Sequence, residues 1–188
     1  MQIRLRIREG WSTLILLTLM LLNVAWSINS AEWTESLSIL QWVVLVSLAI
    51  GLILAKSRLP GFVAHPLSLI SGTAWVTFLI GTLLPSTLSW PERLLNLADR
   101  LTTWLLTVLG EESSFDSLIF VLTLAALLWL FSYLCAWFTF RSHRIWGVII
   151  LSGIPILTNL YYGPPHLVIY LMGYLICALL LIVRSNVF

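Results

Sequence analysis

Ionisable side chains are scarce in this chain. Asp, Glu, Lys and Arg make up 10% of its 188 residues, against about 25% in a soluble domain. So few charges could not cover a water-facing surface. The scarcity is also patterned: residues 11–27, 37–55, 64–84, 117–140, 145–162 and 167–183 contain no charged side chain at all. Charge inside a membrane segment is the usual mark of an ion path or proton relay, and these runs carry none. Cysteine is limited to Cys135 and Cys177, both within runs. Their spacing supports neither a disulfide framework nor a metal site, so the expectation is two buried free thiols packed as small apolar residues. His65 and His166 lie beside Pro66 and Pro165, and His143 is in a basic loop; three scattered histidines are unsuited to one metal ion. Gly-rich phosphate loops, paired catalytic carboxylates and nucleophile–base pairs are missing too. The chain is therefore expected not to be an enzyme on its own residues, with no cofactor evident.

Apolar residues fill the space that charge leaves. They form 60% of the sequence, and the mean hydropathy is +0.99. A helix needs roughly 20 apolar residues to cross a hydrocarbon core of about 30 Å, and each of the six runs is long enough. In lipid every backbone N–H needs an internal partner, which leaves helices or a closed barrel. Barrel strands alternate polar and apolar residues, whereas Ile15-Leu16-Leu17 and Leu179-Leu180-Leu181 do not. The expected fold is all-α: a single polytopic bundle of six transmembrane helices. A net charge of +2 spread over short loops makes no continuous basic patch, so no nucleic-acid partner is expected.

The loop charges separate by side. Arg4, Arg6, Arg8, Lys56, Arg58, Arg141, Arg144 and Arg184 share one side. The other carries only Arg93 and Arg100 among bases, with Glu32, Glu35, Glu92, Asp99, Glu111, Glu112 and Asp116. The positive-inside rule makes the basic side cytoplasmic, so both termini are expected in the cytoplasm. Residues 1–27 also have signal-peptide features, including Ala25-Trp26-Ser27 as a weak cleavage site. The length of the run favours an uncleaved helix.

One connection, residues 85–116, is long. Leu94, Leu95, Leu97, Ala98, Leu101, Trp104, Leu105, Val108 and Leu109 recur there at three- and four-residue steps. This predicts an amphipathic helix over residues 90–109 in the outer interface, either as a docking ledge or as a loop resting on lipid. Ser89-Trp90-Pro91-Glu92 reads as a capping box, and Gly110 as a left-handed stop. Ser113-Ser114-Phe115-Asp116 reads as the cap of the next helix. The ten tryptophans form belts: Trp11, Trp137 and Trp146 inside, and Trp26, Trp33, Trp90 and Trp104 outside, joined by Tyr161 and Tyr162. Trp42, Trp75 and Trp129 lie deeper and are expected to pack in the bundle. Ser47, Gly51 and Ala55 make a small-residue stripe for close contact with another helix, in the bundle or in a partner. Pro155, after Ser152-Gly153-Ile154, should kink or unwind its helix. Asn23, Gln41 and Asn159 lie towards outer helix ends, where they either converge in a small outer polar cluster or else bond between helices or reach the headgroups.

Several short segments resemble a known family. They are Arg8-Glu9-Gly10-Trp11, Val24-Ala25-Trp26-Ser27, Glu32-Trp33, Gly51-Leu52-Ile53-Leu54-Ala55-Lys56-Ser57-Arg58, Ala136-Trp137-Phe138-Thr139-Phe140-Arg141, Asn159-Leu160-Tyr161-Tyr162 and Leu179-Leu180-Leu181-Ile182-Val183-Arg184-Ser185-Asn186. Together the chain resembles the N-terminal membrane region of bacterial TgpA-like, transglutaminase-like membrane proteins. In that family the membrane region precedes an extracytoplasmic papain-like core with a Cys-His-Asp triad. Neither Cys135 nor Cys177 matches that nucleophile, so no catalytic residue carries over. The resemblance implies a scaffold for extracytoplasmic chemistry supplied beyond Phe188 or by a separate subunit; the chain's end suits a truncated parent or a split gene. The expected partners are membrane lipids and another membrane or periplasmic protein. Two other readings stay open: an accessory subunit of a membrane energy-converting complex, and a small transporter or channel. Cysteines placed at Ser57 and Arg141 should react with an impermeant thiol reagent only from the cytoplasm, and one at Glu112 only from outside; the reverse at any site would sink this topology.

Overall fold

The computed structural model describes residues 10–110 and 116–186. Arg4, Arg6, Arg8, Glu111, Glu112 and the Ser113-Ser114-Phe115 part of the second capping signal lie outside the described residues. Seven α-helices follow one another: α1 Trp11–Ser30, α2 Leu40–Lys56, α3 Gly61–Leu83, α4 Trp90–Leu109, α5 Ser117–Trp137, α6 Ile145–Tyr162 and α7 Val168–Asn186. Among the described residues no strand forms. All except α4 belong to segments long and apolar enough to cross a membrane. The chain is thus an all-α, multi-pass helix bundle.

Local chemistry explains where the helices start and stop. Asp116 caps α5, its Oδ1 accepting from Leu118 N at 2.9 Å and Ile119 N at 3.3 Å. This satisfies donors that the first turn of a helix leaves unpaired. At the other end α5 widens into a π-helical turn, Phe138–Ser142. His143 closes it in the left-handed region at φ 52°, and Arg144 N reaches back to Phe138 O at 2.9 Å. α3 begins at Gly61, earlier than the expected residue 64, because Pro60 O already accepts from Val63 N and Ala64 N. α1 continues to Ser30, three residues past the expected end. Gly110 does not adopt the expected left-handed stop: its φ is −82° and ψ 8°, and its N–H bonds Leu106 O at 2.9 Å. The last turn of α4 is closed by that bond and a second one from Gly110 N to Thr107 O at 3.1 Å.

The unwinding considered at Pro155 does not occur. α6 runs unbroken from Ile145 to Tyr162 with Pro155 inside. In a low-dielectric solvent, unwinding would strand several backbone donors and acceptors. Nearby hydroxyls attend the preceding turn instead. Ser152 Oγ donates to Val148 O at 2.7 Å, and Tyr174 Oη of α7 donates to Ile149 O at 2.6 Å.

The helices alternate between two faces. On one, α1 meets α7 through Ser30 and Tyr170, whose hydroxyls are 2.7 Å apart, and α4 joins α5 through Arg100 and Asp116. On the other, Arg141 Nη1 and Nη2 donate to Ser57 O at 2.8 Å and Leu59 O at 3.0 Å. Lys56, Arg58, Arg144 and Arg184 sit at helix ends on that second, basic face; Glu32, Glu35, Glu92, Asp99 and Asp116 sit on the α4 face.

α2 and α5 form the most extensive helix pair, and α1 and α7 the next. The α2–α5 seam is built on the small-residue stripe. Ser47 is fully buried and its Oγ donates to Trp129 O at 2.6 Å. Gly51 lets α5 approach so closely that a Cβ there would lie 2.7 Å from Ala136 Cβ. Ala55 is buried at the next turn. The stripe is therefore used within the chain. Trp129 also packs its indole onto Gly72 of α3 and donates from Nε1 to Ser68 O at 3.2 Å. Trp75 is half-buried and stacks on Phe78. Trp42, expected to pack inside, is 54% exposed. It occupies the outward flank of α2, because Val43, Val44 and Ser47 take the inward one. Cys135 and Cys177 are buried free thiols.

Gly51→Leu should overpack the α2–α5 seam and destabilise the protein by about 1–3 kcal/mol. Ile53→Ala, on the exposed flank of the same helix, should leave the thermal midpoint in detergent nearly unchanged. Equal midpoints for both variants would remove the seam from this account. Because Arg141 proves to clamp the α2–α3 turn, the exposed Arg144 is the gentler reporter of the same face.

Candidate functional site at the α4 face

The three side-chain amides of the spans, Asn23, Gln41 and Asn159, lie in the half of the bundle nearer α4. Asn159, on the last turn of α6, is buried. Its Oδ1 accepts from Trp33 Nε1 at 2.7 Å, and its Nδ2 donates to Ser27 Oγ of α1 at 2.8 Å. One amide thus joins α6, the end of α1 and the α1–α2 loop. A buried amide of this kind is tolerated when its atoms find partners. Glu32 and Ser36 hold the loop in tight left-handed turns at φ 53° and 66°, which brings the Trp33 ring back over the bundle.

Asn23, Gln41 and Asn159 do not converge. Gln41 Oε1 accepts from Trp26 Nε1 at 3.3 Å, linking α2 to α1. Asn23 Nδ2 donates to Leu19 O of its own helix at 2.9 Å, while its side chain lies against Gly173 of α7. Each amide serves a different helix pair, because the three project from different helices towards different neighbours. Of the arrangements open in the sequence, bonding between helices is the one seen for Gln41 and Asn159.

α4 lies at the edge of this polar seam. The expected capping residues pair at its start: Glu92 Oε2 accepts from Ser89 N at 2.7 Å and from Ser89 Oγ at 2.8 Å. These bonds, the hydroxyl first, hold the Glu92 carboxyl below the ordinary glutamate range. Arg93 ties the helix down. It donates from Nε to Leu88 O and from Nη1 to Gly81 O of α3, both at 3.0 Å, with its guanidinium over the Trp90 ring. Trp90 stacks on Phe78 of α3, centroids 5.3 Å apart. Further along, Arg100 pairs with Asp116 at 3.1 Å, and Leu97 is the residue α4 buries. Trp104 is half-buried. Leu95, Leu106 and Leu109 are each at least 70% exposed. The helix is thus pinned at two points and presents apolar side chains away from the bundle. Tyr161 and Tyr162, in edge-to-face contact at 4.8 Å, are also strongly exposed on this face.

A second cluster sits near the basic face and was not recognised from sequence. His65 Nδ1 lies 2.7 Å from Tyr133 Oη, and its ring packs on Trp137 at 4.7 Å. Arg141 lies over the other side of the cluster, 4.9 Å from the Trp137 centroid. His65 was expected at a helix end, but α3 starts a full turn earlier and carries it inwards against α5. The signal was there: Tyr133, Trp137 and Arg141 recur every four residues, the spacing of one helix face. What linear sequence could not show was that α3 meets that face. Among the described residues no three His, Cys, Asp or Glu side chains group closely enough to hold a metal ion.

Asn159→Leu should strand the fully buried Ser27 hydroxyl and release the Trp33 indole N–H, at a cost of about 1–3 kcal/mol, the penalty for an unsatisfied buried polar group. It should also redden the Trp33 component of the fluorescence as the ring leaves the bundle. A wild-type thermal midpoint and spectrum in this variant would show that the amide does not hold the loop. Comparison with protein-family models, with curated proteins and with solved structures finds no match for this chain.

Proposed function

We propose that this chain is a non-catalytic membrane module that anchors an extracytoplasmic domain or partner, with α4 as the ledge on which that partner rests. The observation that carries this reading is α4 itself. It is fixed to the bundle by Arg93, Trp90 and Arg100, yet leaves Leu95, Leu106 and Leu109 exposed. A helix that merely floats in the headgroups needs no such fastening. An apolar row on a rigid support is what a protein contact uses. The α4 face then lies outside, and Lys56, Arg58, Arg144 and Arg184 lie in the cytoplasm, as the distribution of basic residues requires of a bacterial cytoplasmic membrane protein. Both termini are cytoplasmic in this arrangement. The resemblance to the membrane region of TgpA-like proteins implies the same division of labour, with chemistry assigned to a domain beyond Phe188 or to another subunit.

Photo-crosslinking side chains at Leu95 and Leu106, in the protein as it stands in its native membrane, test the ledge. The expected product is one discrete protein adduct of the same partner at both positions, abolished by Arg93→Ala, which frees the helix. A probe at the exposed Ile169 of α7 should yield no such adduct. Lipid adducts alone at Leu95 and Leu106 would replace the ledge with a helix that only rests on the bilayer.

A further inference from the structure

Between α5 and α6, in the half of the bundle nearer α4, lies an open apolar groove of about 510 Å³. It exists because the two helices touch at only one end. Near the basic face they are close: Cys135 Sγ reaches Val148 O at 3.7 Å, and Gly147 admits the Phe138 ring. Towards the α4 face, α6 is held to α1 instead, through Asn159 and Ser27. One wall of the resulting groove is Phe120, Leu124, Leu127 and Phe131, a single stripe of α5. The facing wall includes Ile154 and Pro155 of α6. Pro155 brings no N–H to it. Among the described residues no charged side chain lines the groove, and at its mouth Trp33 donates to Asn159.

From this groove we infer a binding site for one acyl chain of a membrane phospholipid, entering sideways from the bilayer with its headgroup beside Trp33 and Tyr162. Size decides between the possible occupants. Phe120 and Phe131 are about 17 Å apart along α5, roughly half of a hydrocarbon core of about 30 Å. Between helices about 10 Å apart, such a groove presents roughly 170 Å². A stable protein interface buries about 800 Å² per partner, so a second helix would gain little from it. Contacting carbon atoms sit about 4 Å apart, so an extended alkyl chain is a rod about 5 Å wide. Over about 17 Å it fills roughly 300 Å³, and the groove holds it with some room. Water gains little there, because the lining is apolar except for Thr158 and Asn159 near the mouth. The groove's depth matches the chain as well: it starts at Tyr162, on the last turn of α6, and descends away from the headgroup level.

The test uses the full chain in vesicles of phosphatidylethanolamine and phosphatidylglycerol, with a trace of phospholipid carrying a diazirine in its acyl chain. After irradiation, labelled peptides are mapped by mass spectrometry. The expected result is several-fold more label on the groove walls of α5 and α6 than around Ile169 and Leu179, which are more exposed, on α7. Leu127→Trp and Ile154→Trp, on opposite walls and both outside the buried core, should each fill the groove. Either should remove the excess label and leave the α7 label and the thermal midpoint as in the wild type. Even labelling of all exposed spans overturns the proposal. So does excess label that survives both substitutions, or that only an added polyprenol displaces. Loss of groove labelling caused by a protein co-purified from the native membrane would assign the groove to that protein and overturn the proposal too. If both tryptophan variants fail to fold, the wild-type map of groove against α7 label, with and without added polyprenol, still decides the question.

Discussion

The close approach of α2 and α5 sets the spacing of the bundle. Between helices in a membrane, burial of apolar surface gives no advantage, since lipid is as apolar as leucine. Contact must come from dispersion and hydrogen bonds, and both need short distances. Gly51 supplies the distance, and Ser47 uses it to reach the backbone of α5 at Trp129. Trp129 in turn fills the space over Gly72 and fixes α3 against the same helix. A small residue on one helix and a large one on the next therefore decide how three spans sit together.

Hydrogen bonds to backbone carbonyls recur through the rest of the molecule for the same reason. Ser152 and Tyr174 attend the turn of α6 before Pro155, Trp129 attends α3, and Arg141 holds the two carbonyls of the α2–α3 turn. A lipid-embedded backbone has no water to fall back on. These side chains add a further donor to carbonyls within a helix or, for Arg141, at the turn where one ends. They also separate the two faces by function. The basic face is tied shut by Arg141 and the His65–Tyr133–Trp137 packing. The α4 face keeps its exposed groups: the apolar row of α4, the paired tyrosines and the mouth of the α5–α6 groove.

Much of the architecture was legible from residues alone, and the reason differs from element to element. The α4 boundaries were readable because its cap, Ser89 to Glu92, and its amphipathic repeat are local signals. The six spans were readable because length and the absence of charge are local too. The early start of α3 was missed because Pro60 capping its own helix looks, in sequence, like a turn breaker. Trp42 was misplaced because a tryptophan at mid-span has no linear mark that distinguishes the inward flank from the outward one. The Asn159–Trp33–Ser27 triad was visible only as three polar residues near helix ends; its partners lie 126 and 132 positions away from Asn159.

The sequence by itself determined the solvent, the helical class and the separation of charge into two sides. Each follows from composition over about 20 residues at a time, the length scale of the bilayer. Only the tertiary structure decided which faces of the spans meet. Helix packing depends on rotations that a nearly uniform apolar run does not encode. That choice turned the Ser47–Gly51–Ala55 stripe inwards, carried His65 onto α5, and left α5 and α6 apart where the groove now lies.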